Sequence, residues 1–290
     1  MRGIQTTIIL VLNLLPSYLL RMDQVAIMYL LPQTSLEVGE LIVVPNIDKM
    51  NWLIDNKKFE RINSKLSFAV VGLTTSAYET INQISTETTY KWLQPSRKWY
   101  SQRLTVSRPQ LKDASRLRLP TAVWNKVNDN NQIKLDREVM ANVLSSYDDS
   151  DDLLKCMKHP LPSHRVSKFA SPRYLPNGHA YYHTGVDLRA YSPTPLGAMA
   201  DGKVVFADHM VTPGNLIVLS HGKGLFSRYM HLSTINVSVG DKVKAGQIVG
   251  LTGQTGRVEA PHLHWEIIWK GNHADPENFL LQWERTCDRS

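Results

Sequence analysis

Cysteine is scarce in this chain of 290 residues: there are two, Cys156 and Cys287. So few exclude a disulfide-dense scaffold, and their spacing is that of neither a zinc knuckle nor a redox pair. They bracket the last part of the chain, and domain ends often lie close together, so a disulfide between them and a pair of free thiols both stay open. Long hydrophobic runs are also missing. The strongest, residues 8–20, is interrupted by Asn13, Pro16 and Ser17 and is too short to span a bilayer. There is no long run of one charge: 33 Lys and Arg face 26 Asp and Glu, for a formal charge of +7, and the basic residues are scattered. That balance suits attraction to an anionic surface, while the lack of a basic motif interleaved with aromatics argues against nucleic acid as a partner. No Gly-x-Ser-x-Gly elbow occurs and neither cysteine sits where its pKa would be lowered, which removes the common nucleophilic mechanisms. No repeat of solenoid length is present.

The segments that are present differ in texture. Arg2 followed by the short apolar run reads as a secretory signal or a retained anchor over residues 1–26, with Gln24-Val25-Ala26 as the best cleavage candidate. No cysteine lies nearby to carry a lipid. Residues 27–95 read as a small β domain, because the runs 27–31, 41–45 and 66–73 are short, β-rich and separated by Gly, Asn and Asp. Residues 96–155 read as a connector with one helix, over about 134–147, where Leu135, Val139, Ala141 and Leu144 recur at near-helical spacing. Asp148, Asp149, Asp151 and Asp152 then form a solvated linker. In residues 156–290, strands are expected at 204–207, 216–220, 226–232, 243 with 248–251, and 263–269, with glycines marking the turns. The expected class is mainly β, a β-rich α+β chain. Its last domain is an antiparallel β-sandwich or partly open barrel, preceded by the small β domain and the helical linker.

Ten histidines occur, and four fall into patterns that converge on one chemistry. His183-Thr184-Gly185-Val186-Asp187 has helical spacing, but Thr, Gly and Val beside Pro-rich flanks favour an extended or turning backbone. In Pro261-His262-Leu263-His264-Trp265-Glu266-Ile267, strand alternation sets His262, His264 and Glu266 on one face and Leu263, Trp265 and Ile267 toward a core. The same alternation in Tyr229-Met230-His231-Leu232 pairs Tyr229 with His231. A catalytic zinc takes three ligands from His, Asp or Glu and keeps a position for water. Histidines in excess of that number are free to handle protons. His159, His164, His209 and His273 read as surface residues, and His221 as part of a turn. The hairpin at 239–247 is faintly similar to that of biotinyl or lipoyl carriers, but its lysines lack the expected flanks and it reads as structural.

Taken together, the motifs resemble those of lysostaphin-like, or LytM-type, zinc metallopeptidases. The likeness covers roughly the last 125 residues and runs through His183-Thr-Gly-Val-Asp187, Gly214-Asn215, His221-Gly222, Tyr229-Met-His231-Leu232, Val239-Gly240-Asp241, Thr255-Gly256-Arg257 and Pro261-His-Leu-His264-Trp-Glu266. It implies that 156–290 is a zinc metallopeptidase domain with one Zn2+ held by His183, Asp187 and His264. By the same resemblance His231 and His262 are catalytic, orienting and deprotonating the water and stabilising the oxyanion. The implied partners are peptidoglycan stem or bridge peptides, and the implied location is the periplasm or cell envelope after export, with membrane contact only through residues 1–26. A catalytically silent wall-binding or regulatory module of the same fold is the alternative, and His231 and His262 argue against it. Two stretches depart from the family pattern. Phe169-Ala170-Ser171-Pro172-Arg173 stands where a Phe-Gly-x-Arg stretch is common, and Glu259-Ala260 replaces a Thr-Gly. The segment 99–106 resembles the connector of periplasmic members with an N-terminal β domain.

Overall fold

A computed structural model describes residues 35–45, 50–54, 57–58, 60–61, 66–70, 84–88, 98–102, 105–107, 111–147, 156–284 and 287. The expected signal or anchor at 1–26, the run at 27–31 and the acidic linker at 148–152 lie outside these residues. The N-terminal part is strand-built: β1 (Ser35–Glu37), β2 (Leu41–Pro45), β3 (Met50–Ile54), β4 (Lys57–Lys58), β5 (Glu60–Arg61), β6 (Leu66–Val70), β7 (Ile84–Thr88), β8 (Lys98–Gln102), β9 (Thr105–Ser107) and β10 (Ser115–Arg116). β2, β6 and β5 form one antiparallel sheet and β4, β3, β7 and β8 another, while β1 pairs in parallel with β9. Leu41, Ile42 and Val70 are buried in the same core as the C-terminal domain. The Gly39 carbonyl accepts from the Asp275 amide at 2.9 Å, which fastens this part to the start of the last helix.

Two helices follow where one was expected: α1 (Thr121–Val127), which no apolar spacing signalled, and α2 (Asn130–Ser145). α2 begins earlier than its apolar spacing suggests because the Asp129 carboxylate accepts from the amides of Asn131 and Gln132, capping the free N–H groups of the first turn. Asp136 on α2 accepts from the Val211 amide at 2.8 Å, and Met140 is buried against Met210, Leu216, Val218, Phe226, Met230 and Ile268. The connector helix thus covers one face of the sheet beyond it.

That sheet is built from β11 (Arg165–Ser167), β14 (Val186–Arg189), β21 (His262–Trp269), β18 (Leu225–Ile235), β17 (Gly214–Ser220), β16 (Gly202–Met210) and β19 (Lys242–Val243), hydrogen-bonded in that order. β15 (Pro195–Gly197), β20 (Ile248–Thr252) and β22 (Asn272–Ala274) join at its margins, and a hairpin of β12 (Pro172–Tyr174) and β13 (Ala180–Tyr182) pairs with β10 beside it. Every ladder of the large sheet is antiparallel, and the sheet does not close into a barrel. The five expected strand runs all fall within strands, each extended by a few residues where ladder pairing continues into the turns. Leu263, Trp265 and Ile267 enter the main core with Val186, Leu188 and Leu219, as alternation requires. Phe279 and Trp283 of α3 (Pro276–Glu284) close that core.

Cys156 and Cys287, left open by the sequence, are joined as a disulfide across a separation of 131 residues. Such a bond restricts the unfolded chain far more than the folded one. Replacing both cysteines by Ser is expected to lower unfolding free energy by about 3–5 kcal/mol, read from the urea midpoint together with an m value that rises as the unfolded chain expands. An unmoved midpoint would show that the link contributes nothing.

Candidate functional site

The site is assembled from three neighbouring strands and two loops. Asp187 on β14 and His264 on β21 are direct cross-strand partners, so the ladder brings together residues 77 positions apart. His183 arrives from the turn between β13 and β14. That turn runs across the backbone of β21, where a Cβ on Gly185 would sit 2.3 Å from the Trp265 carbonyl oxygen, so the glycine of the His-Thr-Gly-Val-Asp motif is required by close approach.

Three ligand atoms converge. His264 Nδ1 lies 2.8 Å from Asp187 Oδ1, His183 Nε2 lies 3.0 Å from the same oxygen, and the two ring nitrogens are 2.9 Å apart. The other ring nitrogens fix the tautomers. A carbonyl only accepts, so His183 Nδ1–H donates to Lys168 O at 2.8 Å and leaves Nε2 with its lone pair. His264 Nε2–H donates to Glu266 Oε1 at 3.0 Å, which turns Nδ1 inward. Two imidazole lone pairs and a carboxylate meeting in a buried place call for a positive charge between them. Although burial works against it, hydrogen bonds to Asp187 and Glu266 raise His264 to about 9, so a proton partly answers that demand. Asp187 is held well below the carboxylate range, the hydrogen bonds from His183, His262 and His264 outweighing burial. The donor set of two nitrogens and one oxygen fits a divalent transition-metal ion with a position left open.

Polar partners behind the cluster hold it in place. Glu266 accepts from Arg228 Nη1 at 2.9 Å and from the Thr184 hydroxyl, and Arg228 with His273 keeps it ionised despite burial. Asp187 Oδ2 accepts from Arg173 Nη2 at 2.7 Å. Carboxylate partners of this kind orient metal-ligating histidines and raise their basicity. Strand alternation placed Glu266 on the correct face but gave it no role. Arg173 is the arginine of the departing Phe169–Arg173 stretch, so the pattern changes there while the guanidinium still reaches Asp187. Ala170 takes the left-handed conformation (φ 55°) at the place where the resemblance expects glycine.

His231 reaches the site by a different route from the one its strand position suggests. Tyr229 opposes Trp265 in the ladder and Met230 opposes His264, so plain alternation would turn His231 toward the Trp265 side. The pairing of β17 with β18 shifts register here and His231 adopts a positive φ of 65°. This bulge aims the ring at the cluster, 5.0 Å from the His262 ring and 5.9 Å from the His264 ring. Tyr229, expected beside His231, lies in the core instead, its hydroxyl bonded to Ser227 and the Met199 amide. His231 Nδ1–H donates to Thr255 O at 2.9 Å and His262 Nδ1–H to Ala260 O at 2.8 Å. Both rings therefore present Nε2 to the site, and His262 Nε2 lies 3.4 Å from Asp187 Oδ1. Burial, then His262 and His264, lowers the His231 pKa well below its ordinary value, so its ring is neutral near pH 7.

Two other histidines differ from their sequence reading. His159 packs edge-on against Trp265, with ring centroids 5.2 Å apart, and His273 Nδ1 stands 3.7 Å from Glu266 Oε2; both are partly buried and not surface residues. His221 is buried away from the cluster, its Nδ1–H donating to Asp201 O and its Nε2 2.8 Å from Ser227 Oγ. Burial lowers it to about 4. The folded chain keeps His221 neutral while the unfolded chain protonates it near 6.5. Its contribution is therefore complete above pH 6.5 and is lost as pH falls from 6.5 toward 4. The loss is about 3 kcal/mol. Denaturant midpoints at pH 7 and pH 4.5 should lie closer together in His221→Gln than in the native chain. Equal losses in both would exclude His221 as the source.

A sheet floor bearing a buried His-Asp-His cluster, with two further imidazoles facing it, defines a metallopeptidase-type domain. Residues 181–276 match Peptidase family M23. Among curated relatives, peptidoglycan DD-endopeptidase ShyA of Vibrio cholerae is 39% identical over 130 residues, which cover 43% of this chain and 30% of that protein. Glycyl-glycine endopeptidase ALE-1 of Staphylococcus capitis is 49% identical over 104 residues, covering 34% of this chain and 29% of that protein. The matched part thus spans about a third or less of these relatives. A solved structure from Pseudomonas aeruginosa assigned to peptidase M23 aligns over 84% of this chain and 93% of its own, at 20% identity and a TM-score of 0.57, a likeness of fold.

Proposed function

We propose that the chain is an exported zinc-dependent endopeptidase that hydrolyses peptide cross-links of bacterial peptidoglycan. The observation that carries this reading is the convergence of His183 Nε2, Asp187 Oδ1 and His264 Nδ1 beside two imidazoles whose Nε2 atoms face the same place. A binding module has no use for the second pair. His183, Asp187 and His264 would hold one Zn2+, and zinc, when bound, supplies Lewis-acid chemistry that acidifies water and polarises a carbonyl. His231, neutral and anchored through Nδ1, takes a proton from the attacking water at Nε2 and delivers it to the departing amine. His262, anchored in the same way, donates Nε2–H to the carbonyl oxygen as its charge grows, a role that needs the ring protonated on both nitrogens. The peptidoglycan endopeptidases among the relatives support the substrate class. The Cys156–Cys287 disulfide supports export, since such bonds persist in oxidising compartments.

The test is digestion of purified sacculi by the zinc-loaded chain, with released muropeptides identified by mass spectrometry and a chelated sample alongside. Chelator-sensitive loss of cross-linked peptides is expected, and the products name the bond. A folded, zinc-loaded chain that releases nothing would be a wall-binding or regulatory module instead.

A further inference from the structure

Two arginines, Arg173 and Arg257, lie beside Tyr181 next to the cluster. Arg257 lies in the loop between β20 and β21, flanked by the two residues whose carbonyls hold the facing histidines, Thr255 for His231 and Ala260 for His262. Its guanidinium carbon stands 5.3 Å from the centroid of the Tyr181 ring on β13, two residues before His183. Arg173 and Arg257 both reach the Tyr181 phenol, but their situations differ. Arg173 is matched by Asp187 at 2.7 Å. Among the described residues no carboxylate pairs with Arg257, and a phenol satisfies little of a guanidinium with five N–H donors. Burial, with Arg137 of α2 and Arg173 close by, outweighs the phenol and lowers the Arg257 pKa, the mark of a cation short of counter-charge. An arginine fork fixed beside an aromatic ring keeps its planar donors oriented for a carboxylate.

We propose that Arg257, positioned by Tyr181 and reinforced by Arg173 and Arg137, binds a free carboxylate of the substrate beside the scissile amide. The chain then selects cross-links containing a diamino acid with a free acid over uncharged glycine bridges. This rests on the endopeptidase reading and narrows its substrate.

The test uses the full zinc-loaded chain and two synthetic peptides joining D-alanine to a diamino acid, one with a free carboxylate and one with the corresponding carboxamide. The native chain should hydrolyse the acid with kcat/KM about 10- to 100-fold above the amide, the worth of a charge-assisted hydrogen bond. Arg257→Gln should remove that preference by lowering cleavage of the acid far more than cleavage of the amide, and Arg257→Lys should retain part of it. Equal cleavage of both peptides by the native chain, or equal loss on both in Arg257→Gln, would overturn the proposal. Titration calorimetry of the same peptides separates this from failure of the enzymatic reading. Preferential binding of the acid that depends on Arg257, without hydrolysis, would leave the subsite standing and remove the endopeptidase, whereas indifferent binding would remove the subsite.

Discussion

His264→Ala is expected to lose bound zinc and sacculus digestion together, by about a thousandfold or more in rate, while the sheet stays folded. His264 sits at the centre of the cluster: its Nδ1 faces both His183 Nε2 and Asp187 Oδ1, and its Nε2 anchors it to Glu266. Removing it leaves two ligand atoms, fewer than a catalytic zinc requires. The cost to folding is smaller, because Leu263 and Trp265 on the opposite face keep their packing. Zinc content by atomic absorption, near-ultraviolet circular dichroism and muropeptide release, measured on one preparation, read the three consequences separately. Full zinc content in the variant would mean that the metal sits elsewhere, and undiminished digestion would mean that the reaction does not need this cluster.

His231→Ala is the complementary case: zinc is retained, and kcat falls by about 10²- to 10⁴-fold with KM little changed. His231 touches the cluster through its ring and not as a ligand, and its Nδ1–H is committed to Thr255 O. What the variant loses is a base positioned at Nε2. A matching fall in zinc content would recast His231 as a ligand, and an unchanged kcat would leave it a structural residue. Because His262 also faces the site, the double variant should lose less than the product of the two single losses if both rings act on one proton transfer.

Much of the site was legible because its residues lie on strands, where alternation assigns faces from sequence alone. His264 and Glu266 share one face and meet His183 and Asp187 there, and Leu263, Trp265 and Ile267 entered the core as their spacing required. The same rule failed one residue into a bulge. At His231 the positive φ and the register shift turn the ring over, and no pattern in Tyr-Met-His-Leu signals this because the bulge is set by pairing with β17 and β21. Arg173, Arg228, Thr184 and Thr255 had no periodic signal, since each acts through one hydrogen bond to a partner distant in sequence.

The sequence by itself determined the β-rich class, the connector helix and the group of histidines and aspartate that could meet at a metal, since these follow from local spacing and residue chemistry. Tertiary structure decided which of them meet, which tautomer each imidazole holds and that Cys156 joins Cys287. It also decided that Arg257 stands against Tyr181 with no carboxylate paired to it among the described residues. The physical reason is that cross-strand register, bulges and hydrogen bonds between segments far apart in the chain are fixed only when the whole sheet forms.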